Sequence, residues 1–255
     1  MAGPLTGKGA LITGGGSGIG RAACERLAAQ GCTVGVADID ADAAQEVAAH
    51  IGETGAHALA LPLDVTDSGS CGAAVEAFAR HAGRLDILFP SAGIQVQGTT
   101  VEETSDALWH RFIQTNLTGS FYMCRASIPH MREAGGGTIV LIASGRVITG
   151  APRQAAYAAS KGGIASFTRS LAVEVGGDGI TVNCLVPGVV DTAGSRRWTR
   201  EVAGRDPEEM VAEWASRDPL GAVTTPDDVA SFVVYLATDG HFITGNMHTL
   251  RVYTT

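Results

Sequence analysis

The chain predicts an α/β fold, a doubly wound parallel sheet in a single domain. Three observations carry that expectation. Short β-rich runs alternate with stretches of helical periodicity over all 255 residues. The runs are continuously apolar, as strands covered by helices on both faces must be. No Pro/Ser-rich linker, low-complexity tract or internal repeat breaks the alternation. A chain of this length buries roughly three quarters of its unfolded surface, so it needs neither disulfide nor metal to hold it together.

Taken in order, the β-rich runs fall at residues 10–13, 33–37, 57–61, 85–89, 138–143 and 181–186. Helical periodicity begins near Gly18, Ala41, Ser68, Thr104, Ala155 and Pro226. Two helix starts are well written. Thr225-Pro226-Asp227-Asp228 supplies an N-cap, a proline at the first helical position and acids in the first turn. Asp206-Pro207-Glu208-Glu209 repeats the pattern, with Glu209 placed to close a capping box. Residues 192–220 therefore read as a small insertion with its own helix, not as a free linker.

Composition narrows the partners. Eighteen basic against twenty-six acidic residues leave a net charge of −8. That balance speaks against nucleic acid, whose binding rests on clustered Lys and Arg, and against an anionic membrane surface. The cysteines (Cys24, Cys32, Cys71, Cys124 and Cys184) are scattered, with no C-x-x-C pair. They read as buried hydrophobes in a reducing compartment, and no metal site is expected. The start MAGPLTGKGALIT lacks the apolar core of a signal peptide, and no run approaches a membrane span. The expectation is a soluble, cytoplasmic protein.

The first apolar run ends in Thr13-Gly14-Gly15-Gly16-Ser17-Gly18-Ile19-Gly20 and opens a helix. Glycines suit such a turn because it needs positive φ and lets backbone approach a pyrophosphate with no Cβ between. The free N–H groups of the helix start then face the phosphates. A glycine-rich turn alone also fits a plain tight turn; the strand-to-helix context points to a dinucleotide site. The second run ends at Asp38, whose carboxylate can accept both hydroxyls of an adenosine ribose and repels a 2′-phosphate. No Arg or Lys stands in the turn or just after Asp38, so NAD is expected over NADP. The plainer alternative is that Asp38 merely caps the helix beginning near Ala41.

Tyr157 and Lys161 form Tyr-x-x-x-Lys in a strongly helical segment. Residues four apart share a face, so the ammonium can sit beside the phenol and lower its pKa from about 10. That would make a general acid/base for an alcohol or carbonyl oxygen. A surface pair is the bland alternative. Ser144, just past the run ending Leu141-Ile142-Ala143, can bond the reacting oxygen.

These motifs together resemble the short-chain dehydrogenase/reductase family over nearly the whole chain, and the resemblance implies a Rossmann-type fold. TGGGSGIG at 13–20 is similar to the family's cofactor turn, which implies that Gly14, Ser17, Gly18, Ile19 and Gly20 bind NAD. Asp38 and Ile39 fall at the NAD-selecting position, and Asp64-Val65 at the pair that contacts adenine. Asn116 in QTNLTGSF matches an active-site asparagine that holds Lys161 and a water in a proton relay. Ser144, Tyr157 and Lys161 match the other catalytic positions, Ser144 and Tyr157 touching substrate and Lys161 also bonding the nicotinamide ribose. Pro187-Gly188-Val189-Val190-Asp191-Thr192 resembles the segment whose backbone and Thr hydroxyl hold the carboxamide, which brings in Pro187, Gly188, Val190 and Thr192.

Two family features are absent. Asn-Asn-Ala-Gly is replaced by Pro90-Ser91-Ala92-Gly93. Ser91, Ala92 and Gly93 still allow close approach to the cofactor ribose, but Pro90 removes an N–H and an amide that would tie strands together. Where the family commonly ends in Val-Asp-Gly-Gly, this chain reads Leu250-Arg251-Val252-Tyr253-Thr254-Thr255. The resemblance implies a homotetramer, and this segment is one that often packs at subunit contacts. Substrate selection is expected from residues 93–98, 145–154 and 192–220, with Gln95, Arg146, Arg153, Arg196, Arg197, Trp198 and Trp214. An aromatic or anionic substrate is one reading; solvated arginines are the other. The favoured function is an NAD-dependent dehydrogenase of a secondary alcohol. The alternatives are a carbonyl reductase resembling 3-oxoacyl carrier-protein reductases, which generally favour NADPH, and a non-catalytic NAD-binding regulator.

Overall fold

Residues alternate in facing along each strand, and in this chain both facings are apolar. A computed structural model describes residues 3–95 and 98–252. Its seven strands run β1 (Gly9–Thr13), β2 (Thr33–Asp38), β3 (Ala58–Pro62), β4 (Ile87–Pro90), β5 (Gly137–Ile142), β6 (Ile180–Pro187) and β7 (Met247–Leu250). They form one sheet in the order β3-β2-β1-β4-β5-β6-β7, and every pairing is parallel. Leu11, Leu88, Ile139, Leu141 and Val182 point to one face, into a core shared with α3 (Ser68–Ala82), α5 (Gly119–Glu133) and α7 (Ala155–Val175). Ala10, Ile12, Phe89, Val140 and Leu185 point to the other, toward α1 (Gly18–Ala29), α2 (Ala41–Glu53) and α10 (Pro226–Ala237). Two covered faces are what a doubly wound sheet requires.

Chain order reverses between β1 and β4, which leave their shared neighbourhood in opposite directions along the sheet. Ligands of open α/β sheets bind in the crevice at such a point, beyond the carboxyl ends of the strands. The glycine turn follows β1 there, and Ser91, Ala92 and Gly93 follow β4.

The structure refines several expectations. The strand at 57–61 is shifted to Ala58–Pro62, and the helix near Thr104 is α4 (Asp106–Phe112), capped by the Ser105 hydroxyl. Edge strand β7 has no counterpart among the apolar runs, because Met247-His248-Thr249-Leu250 is only half-buried. The 192–220 segment carries two helices, α8 (Ala193–Glu201) and α9 (Pro207–Arg217), not one. Helix α8 escapes notice because it is highly polar, yet Thr192 and Ser195 cap it reciprocally. The Thr225 capping box forms with Asp228. At α9 the Asp206 side chain accepts from the N–H groups of Glu208 and Glu209, and no return bond from the Glu209 carboxylate joins them among the described residues. Val96 and Gln97 of the 93–98 segment, and Tyr253, Thr254 and Thr255 of the C-terminal run, lie outside the described residues.

The five cysteines are buried and unbridged. Burial pushes the thiols of Cys32 and Cys124 up to about 12. No helix is long and apolar enough to cross a membrane among the described residues.

Candidate active site

The glycine turn is shaped by what a side chain would strike. Gly14 has φ +66, and a Cβ there would lie 2.9 Å from the Ala92 Cα. A Cβ on Gly20 would meet the Gly14 carbonyl oxygen at 2.0 Å, so α1 can begin this close to β1 only with glycine. Gly18 has φ +53, and a Cβ there would rest in ordinary contact with the Thr192 side chain at 3.6 Å. Ser17 is the N-cap, but its side chain makes no capping bond. The turn is thus a glycine-lined backbone cradle at a helix start whose N-cap side chain makes no capping bond, and that fits a dinucleotide pyrophosphate.

Asp38 closes the end of this cradle. One carboxylate oxygen accepts the Gly16 N–H at 2.9 Å and the other the Asp40 N–H at 3.0 Å. The cap of α2 is Asp40, whose side chain accepts from the Ala43 N–H. Asp38 is therefore not that helix's cap. Each oxygen keeps a lone pair for a further donor. Ile39 beside it is exposed, at 75%. Asp64 uses its carboxylate locally, on the Thr66 N–H at 2.8 Å and hydroxyl at 2.7 Å, while Val65 is buried against Gly119.

The β4 end shows how Pro90 is accommodated. Pairing of β4 with β5 stops at Leu88, two residues before the proline. On the other side Thr13 sits in register with Pro90, and its hydroxyl accepts the Ala92 N–H at 3.1 Å. The missing N–H thus falls where the ladder has already parted on one side, and a side chain from β1 ties the loop on the other. Pro90 itself is buried. A Cβ on Gly93 would stand 3.0 Å from Asn116 Oδ1 and 3.6 Å from Lys161 Nζ, so this glycine is where backbone, amide and ammonium converge.

Asn116 is buried in a π-helical turn, Ile113–Thr118, between α4 and α5. Its Oδ1 accepts the Ile94 N–H at 2.8 Å, and its Nδ2 donates to Ser160 Oγ at 3.0 Å and to the Ile94 carbonyl at 3.3 Å. The expected hold on Lys161 is not a direct bond. Instead Asn116 clamps the loop after β4 onto α7, and its carbonyl accepts the Ser120 hydroxyl. Lys161 donates to the Ile142 carbonyl at 2.9 Å. That oxygen lies beyond the last residue of β5 that pairs with β4, Ile139.

Ser144, Tyr157 and Lys161 line one cleft of about 220 Å³, together with Gly93, Gly188 and Thr192. Burial pushes the Tyr157 phenol up, against smaller downward pulls from the Ser144 hydroxyl and the Arg146 charge. Burial likewise pushes the Lys161 ammonium down to about 8. Arg146, not Lys161, is the charge that pulls the Tyr157 phenol down here. The Lys161 ammonium is committed to a carbonyl, and desolvation outweighs the charges near the phenol.

Pro187 ends β6, and a Cβ on Gly188 would strike the Arg251 carbonyl at 2.1 Å. Val190 is buried, and Thr192 serves as the α8 N-cap, its hydroxyl accepting the Ser195 N–H at 3.0 Å. Among the substrate candidates Arg196 pairs with Asp191 at 2.6 Å and also with Glu208, and Arg153 pairs with Glu103 at 3.0 Å and bonds the Gly98 carbonyl. Both are thus taken up by acidic partners within the protein. Arg197 is exposed. Gln95, Arg146, Trp198 and Trp214 line the cleft. Gln154, which closes the expected 145–154 segment without being singled out within it, has its Oε1 buried there without a partner among the described residues, as has Trp198 its Nε1. The signal for Gln154 was only its place three residues before Tyr157.

The fold and cleft define a dinucleotide-dependent oxidoreductase class, and comparison with known proteins agrees. A family model described as short chain dehydrogenase matches residues 8–203. The chain is 36% identical over 237 residues to the cis-4-hydroxycyclohexanecarboxylate dehydrogenase of Sinomonas cyclohexanicum, covering 92% of each chain. It is 38% identical over 237 residues to the D-threitol dehydrogenase of Mycolicibacterium smegmatis (strain ATCC 700084 / mc(2)155), covering 92% of this chain and 87% of that one. The crystal structure of levodione reductase superimposes with a TM-score of 0.90 at 30% identity, covering 97% of both chains. This protein belongs to the short-chain dehydrogenase family and is an oxidoreductase.

Proposed function

We propose that the chain interconverts a secondary alcohol and a ketone with NAD(H), with Tyr157 as general acid/base. The observation that carries this is the meeting of Ser144, Tyr157 and Lys161 in one cleft below a glycine cradle. Gly14, Ser17, Gly18, Ile19 and Gly20 would hold the pyrophosphate, and Asp38 the adenosine ribose, with Ile39, Asp64 and Val65 around the adenine. Ser91, Ala92, Gly93 and Lys161 would flank the second ribose, and Pro187, Gly188, Val190 and Thr192 the nicotinamide. The bound dinucleotide supplies the hydride acceptor or donor.

The remaining chemistry falls to the chain. Ser144 donates to the substrate oxygen and fixes its position, stabilising charge as it develops there. Tyr157 takes the hydroxyl proton during oxidation and returns it during reduction. Lys161, one helical turn on from Tyr157, supplies the positive charge that would favour the phenolate against the burial that raises its pKa. Asn116 holds the loop and helix between which Lys161 works and connects that lysine to solvent.

NAD is favoured over NADP because Asp38 is anchored at the cradle and no cation answers it in the turn. The reductase reading akin to 3-oxoacyl carrier-protein reductases loses support on the same ground. The relatives named for alcohols and the structural neighbour named as a reductase support a small-molecule alcohol or ketone as substrate. A homotetramer in the cytoplasm completes the proposal. A panel of secondary alcohols and ketones, read by reduced-cofactor absorbance with each dinucleotide, tests it. NAD should be preferred by at least about tenfold in kcat/KM, near 1.4 kcal/mol. A preference for NADP, or no turnover across the panel, would contradict it.

A further inference from the structure

Beside Ser144 the catalytic cleft borders a second cavity, also of about 220 Å³. Ser144, Arg146, Gly188, Val189 and Trp214 line both, so the two cavities adjoin at Ser144. The far wall brings Arg217, Asp218 and Arg251 together with Arg146. Three arginines thus face one acid.

The partners make the imbalance sharper. The Asp218 carboxylate is taken by the Leu220 N–H at 2.7 Å, and Arg217 is held by Glu213, which also binds Arg205. Among the described residues Arg251 donates only to the neutral Ala222 carbonyl, at 3.0 Å. The Arg146 guanidinium has no hydrogen-bond or ion-pair partner among the described residues. Arg153 and Arg196, in neighbouring segments, each have a carboxylate. Of the three arginines that line this cavity, Arg146 and Arg251 are the two without an ion pair among the described residues. Arg251 also holds φ +50, a region long side chains rarely adopt, while Gly188 leaves room for its carbonyl. Such strain persists where the surroundings over-determine it, and it gathers at ligand clamps.

We infer that this second cavity is a subsite for an anionic group on the substrate, a carboxylate or a phosphate, held by Arg146 and Arg251. The inference rests on the dehydrogenase reading for where the reacting carbon sits, and it names the substrate class as a secondary alcohol bearing an anion. Half-buried guanidinium groups that outnumber the one acid beside them favour an oxyanion, which they can bond through paired donors.

Calorimetric titration of the full-length chain, with and without NADH, tests the subsite without turnover. The probes are cyclohexanecarboxylate, its neutral amide and inorganic phosphate. The acid or phosphate should bind at least about tenfold more tightly than the amide. Arg146→Gln and Arg251→Gln should each erode that preference, and Arg146→Lys should keep part of it. The stronger of the two anions identifies the group. Equal binding of acid, phosphate and amide, or no saturable binding of either anion, overturns the inference on the wild-type chain alone, whatever the variants' folding. Preference retained in the folded double variant R146Q/R251Q also overturns it. Anion-selective binding by a chain that oxidises no alcohol would refute the dehydrogenase reading and leave this subsite standing.

Discussion

Lys161 shows how burial sets chemistry at the residue scale. Its ammonium, 6% exposed, has one carbonyl partner and a pKa brought down to about 8 from 10.5. Between those values the unfolded chain binds a proton that the native chain has released, so stability rises with pH through that window. Tyr157 acts oppositely only higher up: its pKa is raised above 10.0, and the stability it contributes is lost as pH climbs past that value. Urea unfolding at pH 8 and 9.5 should therefore show the wild type gaining about 1.5 kcal/mol relative to Lys161→Met. No relative gain would mean that Lys161 is charged in the free fold. The positions of Tyr157, Lys161, Ser144 and the glycines were legible because each sits at a fixed offset from a strand end or on one helix face. Their protonation was not. It depends on desolvation and on the Ile142 carbonyl, which only the parted β4–β5 ladder makes available.

At the scale of elements, helix starts with capping residues were readable from local chemistry. The sharpest is α10, where Thr225 and Asp228 bond reciprocally and Pro226 opens the helix. Arg26 of α1 adds an ion pair to Asp227 in the same turn. Thr225→Ala removes one side of the box and should lower unfolding free energy by about 1 kcal/mol, measured by denaturant titration; no change would show the cap to be redundant with packing against α1. What the pattern hid has a physical reason in each case. The π-helical turn that carries Asn116 is set by its clamp between Ile94 and Ser160, not by periodicity. Helix α8 has almost no apolar stripe, and β7 pairs only with β6 at an edge. Pro90 read as a weak point, yet it stands where β5 has already separated and Thr13 supplies the tie.

For the whole molecule, the alternation of apolar strands and helices was enough to give a doubly wound parallel sheet, because strands covered on both faces cannot be polar on either. Strand order was not written in any local run; it follows from how the two helical layers cover the sheet. The outer surface bears on assembly. Trp109 on α4, Phe121 on α5 and Val173 on α7 are exposed at 41%, 39% and 86%, and Phe121 meets Phe167 of α7 edge-on. Exposed apolar side chains on these helices suit burial against another copy. Light scattering should give the mass of four chains of 26.1 kDa, and a monomer at micromolar concentration would contradict the tetramer.

The central claim is that Tyr157 moves the proton while the glycine cradle and Asp38 hold the cofactor. Tyr157→Phe separates those roles. On an alcohol that the panel identifies, the variant should lose at least about a thousandfold in kcat, roughly 4 kcal/mol, and should bind NADH within about twofold of wild type by fluorescence titration. Turnover close to wild type in the phenylalanine variant would contradict the account.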